Sequence, residues 1–253
     1  MKITGVIPAR YNSTRFPGKP LTLINGIPMI ERVYKQALKS HYLNRVIIAT
    51  DDERIVKCAI GFNAKAVMTS VKHKTGTDRI YEAVKNTDCD IVVNIQGDEP
   101  FIDPENIDKA IEPLISDKKI NVSTLAIRIK NFTDLKDHNK VKVVIDKNNN
   151  ALYFSRNFIP YDMKNNPEQK FDLKKNAYYK HIGLYVYRKK YLEEFVKLKK
   201  SSLEKAENLE QLRILESGEK IKVVITKKES PAVDTLADLK NIIALLRTGK
   251  IES

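Results

Sequence analysis

Short apolar runs alternate with amphipathic segments along the first hundred residues. Residues 3–8, 45–50 and 90–95 are short apolar runs bounded by polar residues, which predicts three buried strands. Helical spacing of apolar residues predicts helices at residues 28–38 and 53–61. Strands that alternate with helices are typical of a parallel sheet with right-handed crossovers. The pattern therefore predicts an α/β fold with a mostly parallel, twisted sheet and helices on both faces.

The pattern changes from residue 121 onward. Strand-like runs at residues 122–129, 141–145, 152–154 and 182–187 follow one another without long helices between them, which indicates an antiparallel or mixed extension of the sheet. Residues 203–215 predict one helix, with Gly218 just beyond its end as a stop. A strand at 220–225 and a helix at 238–246 follow. We expect residues 1–253 to form a single domain, with 120–190 as a strand-rich subregion.

Composition and charge narrow the classes of function. The chain has 253 residues, of which 42% are hydrophobic, enough to bury a substantial core. Its 45 Lys and Arg against 32 Asp and Glu leave a net charge of +13, which attracts nucleic acids, anionic membranes and nucleotide phosphates alike. Basic residues interleaved with aromatics, the usual pattern of a nucleic-acid binder, are not found. We therefore expect no nucleic-acid partner, although the charge keeps that alternative open.

Cysteine usage and hydropathy point to an intracellular location. Cys58 and Cys89 are the two cysteines, too few for a disulfide framework or a cysteine-based zinc site. No run of about eighteen apolar residues occurs, and the first ten residues lack the basic-then-apolar order of a signal peptide. We expect a cytoplasmic protein that does not insert into a membrane.

A cationic loop follows the first predicted strand. Arg10, Arg15 and Lys19 lie in it together with Gly18. Arginine offers forked donors to phosphate oxygens, lysine a point charge, and glycine lets the backbone approach an anion closely. The GxxxxGK[ST] spacing of a Walker A loop is absent. The loop therefore favours triphosphate binding, with a solvated basic loop as the alternative.

Two aspartates are candidate metal ligands. Asp98 follows the third predicted strand, between Gly97 and Pro100, and Mg²⁺ usually takes one or two carboxylates plus substrate phosphates. A turn-capping aspartate is the alternative. Asp234 precedes the last predicted helix, where an N-cap is the simpler explanation for that residue alone. In an open α/β sheet the loops after residues 6–7, 48–49 and 93–94 should converge at one edge, so a ligand site is expected there.

Seven segments, in order along the chain, together resemble the 3-deoxy-manno-octulosonate cytidylyltransferases. These segments are residues 8–19, 73–79, 94–100, 151–156, 180–185, 209–213 and 233–235. The resemblance implies a nucleotide-diphospho-sugar transferase-like fold. It also implies that CMP from CTP is joined to the 2-hydroxyl of 3-deoxy-D-manno-octulosonate (KDO) with release of pyrophosphate, for lipopolysaccharide biosynthesis. Mg²⁺ as cofactor, CTP and a sugar acid as partners, and a homodimer formed through residues 120–190 follow from the same resemblance.

The resemblance also assigns roles to particular residues. The residues implied to act in catalysis are Arg10, Lys19, Asp98 and Asp234, of which the two aspartates are the implied metal ligands. Those implied to bind the nucleotide are Arg10, Arg15, Lys19, Thr75, Gly76, Thr77 and Arg79. Those implied to line the sugar-acid pocket are Gln96, Arg156, His181, Tyr185, Glu210 and Gln211. For the pocket residues, ordinary strand positions, a structural histidine and a polar helix face are the alternatives.

Departures from the family pattern leave other activities open. Ala232 stands where a glycine is common, Ser202 where a proline is usual, and Leu236-Ala237 replaces Pro-Glu. Glu210-Gln211 and the turn at Ala232 border the acceptor side, so a related acid such as 8-amino-8-deoxy-KDO is an alternative substrate. A catalytically silent nucleotide sensor is a further alternative, against which Lys19, Asp98 and Asp234 argue.

Overall fold

The computed structural model describes residues 1–12, 16–161 and 177–249. Its strands are β1 Ile3–Ala9, β2 Leu23–Ile24, β3 Ile27–Pro28, β4 Arg45–Thr50, β5 Lys65–Met68, β6 Ile91–Asn94, β7 Val122–Arg128, β8 Lys142–Ile145, β9 Ala151–Ser155, β10 Tyr179–Arg188 and β11 Ile221–Thr226. Its α-helices are α1 Met29–Ala37, α2 Glu53–Gly61, α3 Gly76–Val84, α4 Pro104–Ser116, α5 Phe132–Lys136, α6 Lys189–Phe195, α7 Ser202–Glu207, α8 Leu212–Glu216 and α9 Leu236–Arg247. A 3₁₀ turn covers Lys19–Leu21.

One large sheet organises these elements. Its central path runs β11-β7-β10-β6-β1-β4-β5, and the neighbours along it are parallel except where β10 pairs antiparallel with β6 and β7. β8 pairs antiparallel with one end of β10 and with β9, which forms an arm off the main path. The expected mostly parallel sheet is confirmed. The pairings of β7, β8, β9 and β10 with one another are antiparallel, whereas the bounds 120–190 of the subregion stay a prediction.

Side-chain alternation along the strands produces two cores, one on each face. Ile7 on β1 packs with apolar residues of α1, α2 and α4, whereas its neighbour Val6 packs with residues of α3, α6 and α8. A strand buried on both faces needs a continuous apolar run, which is the pattern that residues 3–8 show. The expected placement of helices on both faces of the sheet is confirmed.

The helix predicted over residues 203–215 is wrong as a single element. The chain forms α7 and α8 instead, and Asn208 between them adopts a left-handed backbone with φ of 53°. Asparagine tolerates this conformation because its short polar side chain can bond locally. The predicted stop holds, since Gly218 has a φ of 85° and its N–H donates to the carbonyl of Leu215. Glu210 and Gln211, which follow the break, line a cavity together with residues of β6 and β10.

No helix among residues 1–12, 16–161 and 177–249 is long and apolar enough to cross a membrane.

A buried carboxylate joins the end of α1 to α4. Asp108 accepts hydrogen bonds from Ser40 Oγ at 2.5 Å and from the backbone N–H of His41 at 3.1 Å, and its other oxygen lies 2.8 Å from His41 Nδ1. Burial acts to raise the pKa of Asp108, but these hydrogen bonds outweigh it and hold the pKa below its usual value of 3.8. The charged carboxylate therefore stabilises the contact between α1 and α4.

Replacing this carboxylate by an amide should make the free energy of unfolding less dependent on pH in the acidic range. Because the folded pKa is lower than the unfolded one, the stabilisation is complete above about pH 4 and disappears as the pH falls through the folded pKa. Asp108→Asn should lower the free energy of unfolding by about 1–3 kcal/mol at pH 7, and the deficit should shrink near pH 3. Urea unfolding at both pH values measures this, with Glu112→Gln on the exposed face of α4 as the control. An equal deficit at both pH values would contradict it.

Candidate active site

The loop after β1 brings cationic residues to the carboxyl edge of the sheet. The N–H of Gly18 donates to the carbonyl of Tyr11 at 2.8 Å, and its φ of 71° favours glycine. This contact returns the chain so that Lys19 starts the 3₁₀ turn beside the end of β6. Arg15 falls in the segment 13–15, outside the described residues, so its predicted role stays a prediction.

Gly97 allows the ends of β1 and β6 to meet. A Cβ atom at this position would lie 2.9 Å from the backbone carbonyl oxygen of Pro8, closer than real Cβ contacts. Only glycine fits here without moving the backbone of one strand. The close approach places Asp98, the next residue, against the cationic loop.

Lys19 lies between the two predicted metal ligands. Its Nζ is 2.9 Å from Asp98 Oδ2, 3.4 Å from Asp234 Oδ1 and 3.0 Å from the carbonyl oxygen of Val233. The N–H of Val233 donates to the carbonyl of Asp98 at 2.8 Å, so the backbone joins the two aspartate segments directly. Two residues 136 positions apart in the sequence therefore direct oxygen atoms at one cationic point.

This oxygen-only donor set fits Mg²⁺, which prefers oxygen ligands and takes few protein carboxylates when substrate phosphates supply the rest. Among the residues that the structure describes, no group of three or more His, Cys, Asp or Glu could hold a metal ion by itself. A magnesium ion at Asp98 and Asp234 would therefore depend on substrate oxygens.

Arg10 and the start of α3 line a cavity together with Lys19. Arg10 Nη2 donates to the carbonyl of His73 at 2.7 Å, and burial, followed by the nearby charge of Arg79, lowers the pKa of Arg10. Thr75 caps α3 by accepting the N–H of Asp78 at 3.1 Å, and Gly76 lies against Pro8. Residues of both loops line a cavity of about 220 Å³, which are Pro8, Ala9, Arg10, Lys19, Pro20, Gly76, Gln96, Gly97 and Asp98.

The predicted sugar-acid residues form the adjoining wall. A cavity of about 290 Å³ is lined by all of them except Arg156, that is, by Gln96, His181, Tyr185, Glu210 and Gln211. Thr77, predicted to bind the nucleotide, lines the same cavity. Gln96 Nε2 donates to the carbonyl of Gly183 at 2.8 Å, at an irregularity of β10 between Ile182 and Tyr185. His181 Nε2 lies 3.0 Å from Thr124 Oγ1, and burial lowers the pKa of His181 to about 3. The imidazole is therefore neutral at physiological pH.

Arg156 lies in a larger cleft of about 870 Å³ that shares His181 and Gly183 with the cavity of 290 Å³. Its Nε donates to the carbonyl of Glu207 at 2.8 Å, and its other donors reach the carbonyls of His138 and Asn208. Asp234 lines the same cleft. The cavities of 220 and 290 Å³ share Pro8, Gly76 and Gln96. Lys19 and Asp98 line the smallest cavity, and Lys19 also contacts Asp234 of the largest.

Comparison with known proteins shows the family to which the chain belongs. The family described as Cytidylyltransferase matches residues 4–221. A 3-deoxy-manno-octulosonate cytidylyltransferase of Geotalea daltonii is 50% identical over 98% of this chain and 99% of its own. One of Geobacter metallireducens is 48% identical over 99% of this chain and all of its own. The chain belongs to the 3-deoxy-manno-octulosonate cytidylyltransferase family.

A solved structure supports membership of the cytidylyltransferases at the level of the fold. The structure of a CMP:2-keto-3-deoxy-manno-octonic acid synthetase complexed with CTP is 39% identical, with a TM-score of 0.91 over 98% of this chain and 100% of that one. The nucleotidyltransferase-like fold expected from the sequence is confirmed.

Arg79 and Thr75 are predicted site residues that line none of the three described cavities. Thr75 caps α3, whereas Arg79 lies in the core. It is fully buried, and its guanidinium reaches Asp51 Oδ2 at 2.6 Å and Thr69 Oγ1 at 2.5 Å. A buried ion pair of this kind fixes α3 against the loop after β4. In this cytidylyltransferase Arg79 therefore orients the segment that starts α3, and its predicted role in nucleotide binding stays a prediction.

Sequence reasoning missed several charged residues of the large cleft. Lys180 pairs with Glu229, and both line the cleft together with Glu99. Burial, then the charges of Asp98 and Glu229, raises the pKa of Glu99 to about 8, against the opposing charge of Lys180. The one signal in the sequence was Lys180, a charged residue within the strand pattern just before His181. Its partner 49 residues away could not be read from spacing.

Proposed function

We propose that the protein joins CMP from CTP to the 2-hydroxyl of KDO and releases pyrophosphate. The observation that carries the proposal is the convergence of Lys19, Asp98 and Asp234 between two cavities. One is lined by Arg10 and by Gly76 at the start of α3, and the other by Arg156 and His181 of the predicted sugar-acid residues. The names of relatives about 50% identical over nearly the whole chain support the choice of nucleotide and acid.

The residues of the cleft act mainly by position and charge. Arg10 and Lys19 would neutralise the negative charge that accumulates on the transferring phosphoryl group and on the departing pyrophosphate. Electrostatic stabilisation of this kind is often the largest single contribution to the rate of such reactions. Fixed placement of both substrates contributes further, because it removes the entropy cost of their encounter. Asp98 and Asp234 would hold Mg²⁺, which when bound neutralises phosphate charge and lowers the pKa of a hydroxyl.

The pocket chemistry suits a polyhydroxylated acid. Arg156 directs its guanidinium donors, among the described residues, to main-chain carbonyls, so its charge is available to a carboxylate in the cleft. Neutral His181 and the amides of Gln96 and Gln211 can exchange hydrogen bonds with hydroxyl groups. Neutral donors suffice for hydroxyls, whereas the acid requires the cation.

Pyrophosphate release from CTP, KDO and MgCl₂ tests the proposal. We expect turnover with CTP to exceed that with UTP, ATP or GTP by at least about tenfold, because a pocket built to pair with one base edge leaves polar groups unpaired against another. Turnover should vanish when the acid is left out and should be lower with 8-amino-8-deoxy-KDO. Equal rates with all four nucleotides, or no pyrophosphate with CTP and KDO, would contradict it.

The wider setting is proposed on the same basis. The family relationship supports a role in lipopolysaccharide biosynthesis in the cytoplasm and a homodimer formed through residues 120–190. β9 pairs with β8 and has Leu152 60% exposed, which suits a surface covered by a second copy. Light scattering during gel filtration should give twice the mass of one chain.

A further inference from the structure

The residue predicted to meet the nucleotide and the residue predicted to line the sugar pocket touch each other. Thr77 lies in the first turn of α3, is 2% exposed, and donates its hydroxyl to Glu210 Oε2. Glu210 belongs to the turn between α7 and α8, 133 residues away in the sequence. Both residues line the cavity of 290 Å³, and Gly76, next to Thr77, also lines the cavity of 220 Å³. The contact therefore joins the start of α3 to the turn that carries Glu210 and Gln211.

A buried ion pair between Arg213 and Glu204 lies next to Glu210. Arg213 donates from Nε to Glu204 Oε2 at 2.7 Å and from Nη2 to Glu204 Oε1 at 2.9 Å. The same Nη2 lies 3.2 Å from Glu210 Oε1, and the guanidinium stands 4.8 Å from the centre of the Phe195 ring. Such a forked pair restricts the arginine to one geometry.

Both oxygens of Glu210 are thus already engaged, one on Thr77 and one on Arg213. Burial, with a smaller effect of the charge of Asp78, raises the pKa of Glu210, while hydrogen bonds from Thr77 and Thr75 and the charge of Arg213 act to lower it. A carboxylate occupied in this way is better suited to fix the relative position of its partners than to serve one substrate hydroxyl. Its neighbour Gln211, which also lines the cavity of 290 Å³, would move with it.

We propose that the Thr77–Glu210 hydrogen bond, braced by Arg213, couples nucleotide binding at the start of α3 to the affinity of the sugar-acid wall. The proposal rests on the proposed function. A nucleotide that orders Thr77 fixes Glu210 and Gln211 in place for the acid, and by linkage the acid strengthens nucleotide binding by the same factor. Glu210 is in this view a positioning residue, and Arg213 supports it.

Calorimetry with the magnesium complex of α,β-methylene CTP tests the coupling. This analogue has carbon in place of the oxygen between the α and β phosphorus atoms, so pyrophosphate cannot leave and KDO binding is measured at equilibrium. In the wild type we expect the analogue to tighten KDO binding about tenfold, within the usual range for coupled sites. In Thr77→Val, which keeps the shape and loses the hydroxyl, the factor should fall below about twofold. Thr77→Ser should retain it.

Further variants separate coupling from stability. Thr87→Val removes a hydroxyl that bonds the nearby carbonyl of Val84, and should leave the factor unchanged. Glu210→Gln should reduce coupling, and adding Thr77→Val to it should bring little further loss, because the two residues act through one bond. Thermal unfolding of each variant shows whether it folds. If Thr77→Val does not fold, Arg213→Lys is judged by the same criterion.

Two outcomes would overturn the coupling. One is a wild type whose KDO affinity is the same with and without the analogue, and the other is a folded Thr77→Val with the wild-type factor. Failure of the proposed function has a different signature, because the wild type would then release no pyrophosphate from CTP and KDO.

Discussion

Asp98→Asn should lower kcat for pyrophosphate release from CTP and KDO by about a hundredfold or more, which corresponds to about 2.7 kcal/mol of transition-state stabilisation. Asparagine keeps the shape of the side chain and removes its charge. In the structure that charge lies 2.9 Å from Lys19 Nζ and beside the carboxylate of Asp234, so it contributes to both the cationic loop and the proposed metal site. Initial rates at saturating CTP, KDO and MgCl₂ measure kcat without contribution from weakened binding.

The effect of MgCl₂ on thermal stability provides a second test of the role of Asp98. Asp98→Asn should also weaken the dependence of thermal stability on MgCl₂ in the presence of α,β-methylene CTP, because one of two carboxylates is lost. Asp88→Asn is the matched control, since that aspartate is exposed and pairs with Lys2 far from the cleft. Near-normal turnover of Asp98→Asn at saturating magnesium would refute the role assigned to the aspartate.

The chain order of strands and the position of the site at their carboxyl ends were accessible from sequence. Residues 45–50 and 53–61 were predicted with the bounds that β4 and α2 have, because each is a local pattern ended by polar residues or a cap such as Asp52. The convergence of the loops after β1, β4 and β6 followed from the geometry of parallel sheets. Local pattern and general topology thus suffice to locate the edge where the site forms.

The partners of the site residues were not accessible in the same way. Arg79 has its ion pair with Asp51 in the core, Thr77 reaches Glu210, and Lys180 reaches Glu229. Each contact joins segments that are distant in sequence. No particular spacing along the chain predicts such a contact, so the sequence does not identify the partner. The break at Asn208 was missed for a related reason: leucines three apart fit one helix as well as two short ones, and packing against the sheet decides between them.

For Asp234, the sequence allows two roles, a helix cap or a metal ligand, and the structure distinguishes them. An aspartate before a helix is usually a cap, but here the capping hydroxyl belongs to Thr235, which accepts the N–H of Asp238. That leaves the carboxylate of Asp234 to face Lys19 at 3.4 Å. Resemblance suggested that Asp234 is a ligand, and geometry supplies the physical reason that it need not be a cap.

Lys19→Met should have the second large effect. It should lower kcat, whereas the stabilisation that MgCl₂ gives without nucleotide should increase. Methionine has similar length without the ammonium, so kcat should fall by about a hundredfold to a thousandfold, as for other fixed groups that stabilise charge in a transition state. Initial rates with CTP and KDO measure this. Lys35→Met is the control, because Lys35 is an exposed residue of α1 paired with Glu31.

The opposite change is expected in the response to magnesium alone. Lys19 neutralises Asp98 and Asp234 in the structure, and without it the two carboxylates repel each other at close range. Lys19→Met should therefore unfold at a lower temperature than the wild type without metal and should gain more from MgCl₂ in the absence of nucleotide, since a divalent ion then meets no competing ammonium. Thermal unfolding with and without MgCl₂ distinguishes this from a simple loss of folding, which would lower the transition equally in both conditions. An unchanged magnesium response together with reduced kcat would mean that Lys19 serves the phosphates alone and that the two aspartates do not share one cation.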